Sequence, residues 1–143
     1  MSDLPGLQEV LHEQCNTHRK LLTLEEEKTR VLLSGDAEKL LPLLNDQQAL
    51  LMQSRELEKH RSSICQGTNY KTLKELVESS GECKALYGTA FEELSDVVTT
   101  LKKKCALNKK LLETRLGTIH FLLNQSGQDT YANTYTKNVS SKG

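Results

Sequence analysis

The sequence predicts an all-α fold, an elongated antiparallel helical bundle or coiled coil of three main helices with a flexible C-terminal tail. Three observations carry that prediction. A single apolar stripe near the C-terminus runs Tyr87, Phe91, Leu94, Val98, Leu101, Cys105, Asn108, Leu112, Arg115, Ile119, Leu122 in alternating steps of three and four, the spacing of one helix seam. Leucine dominates the apolar set, and the nearest approach to a β-branched run, Val97 to Thr100, sits inside that stripe. Only Pro5 and Pro42 interrupt backbone hydrogen bonding along the chain.

The elements follow in order. A first helix is predicted from about Leu4 to Leu33, with Gln14, His18 and Lys28 on the middle of its apolar face, where packing should be thin. Ser34-Gly35-Asp36 ends it, Gly35 suiting the left-handed position after a helix and Asp36 a cap. A short helical turn from Ala37 to about Leu41 and a kink at Pro42 should precede a second helix reaching about Cys65. Gln66-Gly67-Thr68-Asn69 reads as a turn, with Asn69 capping a segment that carries Leu73, Leu76 and Val77. Ser79-Ser80-Gly81-Glu82 has the form of a capping box with Ser79 reaching forward. The last helix, from about Glu82 to Asn124, would span roughly 60 Å at 1.5 Å per residue. Residues 1–125 thus form the helical domain. Residues 126–143 hold no leucine, isoleucine or phenylalanine, and are expected to be disordered because they bury too little to offset ordering entropy.

Composition narrows function. Lysine plus arginine and aspartate plus glutamate are 19 each, so no net field draws the chain to nucleic acid or to an anionic membrane. No apolar run reaches the length of a membrane span and no signal pattern opens the chain, which predicts a cytoplasmic protein without membrane insertion. Cys15, Cys65, Cys83 and Cys105 are scattered and read as small helix residues.

Several constellations invite chemistry. Arg115 and His120 have the R-x4-H spacing of HEPN ribonucleases, but Leu116 follows the arginine and the two residues point to different faces of a helix. His12, Cys15 and His18 are spaced by threes, and the outer two diverge by about 120° on a helix, so they do not converge on a metal. Lys102-Lys103-Lys104, Lys109-Lys110 and Glu25-Glu26-Glu27 read as solvated faces or weak surface pairs. No cofactor or metal and no catalytic residue is predicted.

The last helix carries the functional signal. Asn108 and Arg115 interrupt its seam, and a polar seam residue usually sets register. Past Asn108, Leu111, Leu112, Leu116, Ile119, Leu122 and Leu123, with Phe121 beside them, cover more than half the helix circumference. One neighbouring helix cannot bury such an arc, so a site for another chain is expected there.

The chain resembles the FlgN-type flagellar export chaperones. Leu32-Leu33-Ser34-Gly35-Asp36-Ala37-Glu38-Lys39-Leu40 is similar to the family's leucine pair, Gly-Asp and leucine. Gln48, Leu50, Leu51, Leu57, Glu58 and Arg61 resemble its leucine-rich stretch ending near Glu-x-x-Arg. Asn108-Lys109-Lys110-Leu111-Leu112 and Asp129-Thr130-Tyr131 match in order, although Ala132-Asn133 departs from the glycine common there. The resemblance implies a cytosolic chaperone, not an enzyme, that holds a C-terminal helical region of hook–filament junction proteins (flagellar hook-associated proteins) and hands them to the flagellar export apparatus. The expected partner-binding residues are Leu107, Asn108, Leu111, Leu112, Leu116, Ile119, Leu123 and Tyr131. The rival expectations are a coiled-coil adaptor or self-associating structural protein and, more remotely, the HEPN-like RNase; for the chaperone itself, self-association is expected to be weak.

Overall fold

A computed structural model describes residues 4–125. Helix α1 spans Leu7–Ser34, a single 3-10 turn Ala37–Lys39, α2 Leu40–Cys65, α3 Leu73–Glu78 and α4 Gly81–Gln125. The expectations for the tail and for Tyr131 fall outside the described residues.

Local chemistry sets the boundaries. α1 stops at Gly35, whose φ of 79° is left-handed and whose N–H donates to the Val31 carbonyl at 3.0 Å. A side chain there would also crowd Arg115, whose Nη1 lies 3.0 Å from the position of a Cβ. Pro42 does not interrupt α2. It is the third residue of α2, inside the first turn, where a backbone N–H has no partner within the helix to lose. Two expected caps shift. Thr72, not Asn69, caps α3 by accepting the Glu75 N–H at 3.1 Å, while the Glu75 carboxylate accepts the Lys71 N–H. Ser80, not Ser79, caps α4 by accepting the Cys83 N–H at 3.0 Å. Ser79 belongs to the end of α3, where its hydroxyl donates to the Leu76 carbonyl.

The long helices run up, down and up. α2 is antiparallel to α1, joined to it by Gln14 to Glu58 at one end and Lys28 to Gln47 toward the other. α4 is parallel to α1, with partners a near-constant distance apart in sequence: Leu4 with Tyr87 and Glu25 with Asn108 are 83 residues apart, Leu33 with Arg115 82. That constancy means an in-register parallel seam over the whole of α1. α1 packs on both α2 and α4, whereas α2 and α4 do not pack against each other. The three helices therefore occupy three corners of a four-helix square, with α1 between the other two.

The apolar core lies at one end. Leu7 and Leu11 of α1 meet Leu76 and Val77 of α3 and Cys83 and Tyr87 of α4. Each such side chain contributes about 1.5–3 kcal/mol when removed from water. The Tyr87 hydroxyl keeps a partner by accepting the Leu4 N–H at 2.7 Å. α4, with 45 residues against 28 in α1, outlasts its neighbour. At an offset of 82, Ser34 is level with Leu116, so the last turns of α4 project about 13 Å beyond α1.

Candidate functional site

Because α2 and α4 stand apart, a groove runs between them with α1 as its floor. Near the C-terminal end of α1 it opens into a cleft of about 290 Å³, walled by Leu40 and Leu44 of α2 and by Cys105 and Leu112 of α4, with Leu32 beneath. Toward the core end it continues as a second cleft of about 340 Å³ over Gln14 and His18, between Glu58 and the pair Leu94 and Val98, closed by Leu73. Apolar residues along both walls are half-buried or exposed: Leu94, Val98 and Leu101 on α4, Leu40, Leu44 and Leu51 on α2.

A buried polar cluster locks the floor to both walls. Glu25 is only 1 % exposed and Asn108 3 %. The Glu25 Oε1 accepts Lys28 Nζ at 3.0 Å and Gln47 Nε2 at 2.9 Å, and Oε2 accepts Asn108 Nδ2 at 2.6 Å. Asn108 Nδ2 also reaches the Glu25 carbonyl at 2.8 Å, and Thr29 Oγ1 donates to Asn108 Oδ1 at 2.6 Å. The carboxylate is thus held by donors from all three long helices, which is what makes burial of its charge tolerable. Glu25 was expected on a solvated face; its partners from α2 and α4 draw it inside instead. The middle of α1 is not thinly packed but polar and buried, with Gln14 and Thr17 also covered.

The sequence-predicted site residues separate around α4. At 100° per residue, Leu112 and Leu116 lie about 40° and 80° from Asn108 on the groove side, Leu111 and Leu107 about 60° and 100° on the other. Leu112 lines the cleft and is 41 % exposed; Leu116, at 53 %, stands where α1 ends. Leu107 is 43 % exposed on the opposite flank, and Leu111 is half-buried. Ile119 and Leu123 belong to the part of α4 beyond α1, Leu123 half-buried. Asn108 departs from its expected place. Its amide faces α1 and every polar atom of it is engaged, so it fixes the register of α4 on α1 and is not available to a partner. The groove's other wall was missed in the sequence, although Leu40, Leu44 and Leu51 recur at i, i+4 and i+11 on one face of α2.

Arg115 is also structural. Its Nη2 donates to the Leu33 carbonyl at 2.9 Å, satisfying the end of α1, and His120 lies about 140° away around the helix. The two residues do not share a face of α4. On α1, Cys15 is buried and His12 exposed, while His18 Nδ1 sits 2.7 Å from the Gln14 carbonyl. Among the described residues no three His, Cys, Asp or Glu gather as a metal site, and no helix is long and apolar enough to cross a membrane. Burial pushes the Cys105 thiol above its ordinary range, the Glu25 charge adding to that and Lys28 opposing it. Burial likewise raises Cys65, opposed by Arg61.

Comparison with known proteins adds two findings. The model of a family described as FlgN protein matches residues 1–142. The "uncharacterized protein YvyG" of Bacillus subtilis (strain 168) is 30 % identical over 113 residues, which cover 76 % of this chain and 71 % of that one. No solved structure matches.

Proposed function

The chain belongs to the FlgN family of flagellar export chaperones, and from that premise we propose that it is a cytoplasmic, non-enzymatic escort for hook–filament junction proteins. It binds a C-terminal helical region of those clients, keeps it soluble and unassembled, and delivers it to the flagellar export apparatus. The observation that carries this reading is the exposed apolar surface of α4. Leu112, Leu116 and Leu122 are exposed along it, at 41, 53 and 59 %. A client helix laid along them is helix-in-groove recognition.

The magnitudes agree with an escort. Covering five leucine-sized side chains yields roughly 7–15 kcal/mol gross. Ordering the client and fixing the pair takes back several to about 15 kcal/mol. The remainder is compatible with micromolar to nanomolar affinity, firm enough to protect and loose enough to release. Ile119 and Leu123 complete the proposed contact, to which Tyr131 is a proposed addition.

The test is calorimetric titration of the full chain with a purified hook–filament junction protein. A one-to-one complex for the wild type, lost in Leu116→Asp while helicity by circular dichroism is kept, supports the reading. No heat of binding at about 100 μM protein, or unimpaired binding by Leu116→Asp, overturns it.

A further inference from the structure

We propose that the α2–α4 groove takes a partner's amphipathic helix as the fourth corner of the bundle, and that this helix carries acidic residues on both flanks of its apolar stripe. This deepens the chaperone reading and rests on it for the existence of a helical partner; the site and the chemistry come from the groove.

Geometry argues for a helix. α1 touches both α2 and α4 while these stay apart, which is how three neighbours sit around the open corner of a four-helix bundle. From the level of Leu94 to that of Leu112 the groove runs about 27 Å, the length of roughly 18 helical residues. Near the C-terminal end of α1 its walls are apolar, Cys105 and Leu112 facing Leu40 and Leu44, while toward the core end Leu94 and Val98 face Glu58 and Arg61. On its floor Gln14 is buried, and among the described residues its Oε1 has no hydrogen-bond partner.

Charge argues for acidic flanks. Lys102 and Lys109 stand seven residues apart on the α4 rim, both exposed and without an ion pair among the described residues. Arg55, about 20° around α2 from Leu44, places a cation on the opposite rim, and Lys59 one turn on is paired with Glu56 at 3.6 Å. Lys71 borders the core end of the groove. Glu113 is the carboxylate on the α4 rim; Glu58, inside the groove, is paired with Arg61. In a chain of net charge zero, this is a local concentration rather than a general basicity.

The same charges disfavour the other occupants. Residues 126–143 contain Lys137 and Lys142 against Asp129, so the chain's own end brings positive charge to a positive rim. A second copy laid groove to groove would oppose Lys102 and Lys109 with their own equivalents.

The test uses the full chain and two labelled peptides of about 20 residues sharing one leucine stripe, flanked by glutamate in one and by lysine in the other. Fluorescence anisotropy should show the glutamate peptide binding at least about tenfold tighter at low salt, with the margin shrinking at high salt. Lys102→Glu with Lys109→Glu should invert the preference. Because Cys105 lines the groove, the bound peptide should slow its alkylation by maleimide while leaving that of Cys65 unchanged. Equal affinity for the two peptides, absence of binding, or binding without protection of Cys105 overturns the proposal. So does binding that appears only after residues 126–143 are removed, or a doubled mass by light scattering that masks the groove. No flagellar protein enters this experiment, so its failure leaves the calorimetric test of the chaperone reading untouched.

Discussion

Replacing Asn108 with alanine separates a structural role from a binding role at the centre of α4. The substitution removes a charge-assisted hydrogen bond to Glu25 Oε2 at 2.6 Å and a neutral one to the Glu25 carbonyl at 2.8 Å, and leaves Thr29 Oγ1 with the Glu25 carbonyl alone at 3.0 Å. The first is worth about 1.5–3 kcal/mol and the second about 1, so the loss is about 2.5–4 kcal/mol. Against a total of about 5–15 kcal/mol, that is a large share. At about 3–5 °C per kcal/mol for a domain of this size, the melting temperature should fall by about 8–20 °C. Leu107→Ala, one residue away on the exposed flank, should stay within about 2 °C. Asn108→Asp should be worse than alanine at neutral pH, because it sets a second carboxylate against Glu25, and should recover partly in mild acid, where a shared proton restores a donor. Thermal melts by circular dichroism, with urea titrations as a check on cooperativity, read all three. An Asn108→Ala melting temperature within about 3 °C of wild type would refute the reasoning, since a buried carboxylate cannot lose a donor from a neighbouring helix at so small a cost.

Three further outcomes follow from the same geometry. Leu112→Asp, on the groove side, should abolish client capture with helicity retained, whereas Leu107→Asp should reduce it far less; equal loss in a pull-down with a purified junction protein would mean that both flanks of α4 are used. Cys105 should react with maleimide more slowly than a free thiol at pH 7 and keep accelerating above pH 9, because its raised pKa leaves less thiolate at any given pH; rate measurements across that range check it. Gly35→Ala should lower stability by about 1–2 kcal/mol through its left-handed backbone and the displaced Arg115, and urea denaturation showing no change would remove Gly35 from the α1 cap.

Much of the architecture could be read from the chain before any coordinates. Helix existence and length depend on local periodicity, so α1, α2 and α4 lie within a few residues of the predicted segments, and the Gly35 break follows from the one residue type that takes a left-handed φ without strain. Caps were less legible. Thr72 and Ser80 compete with polar neighbours at Asn69 and Ser79, and which of them caps depends on where the backbone turns. The apolar arc of the last helix pointed to Leu112 and Leu116, but it joined them to Leu107 and Leu111 as one surface, since a stripe carries no information about which side faces a neighbour.

The sequence by itself determined that this is a set of long amphipathic helices, where they break, and to which family the pattern belongs, because those properties are fixed by residues a few positions apart. Only the tertiary structure decided that α4 lies parallel to α1, that α2 and α4 stand apart, and that Glu25 and Asn108 are interior while Leu112 and Leu116 are not. A charged residue is buried or solvated according to the donors that other helices bring to it. For Glu25 those donors are Gln47 and Asn108, 22 and 83 residues away, and local spacing says nothing of such meetings.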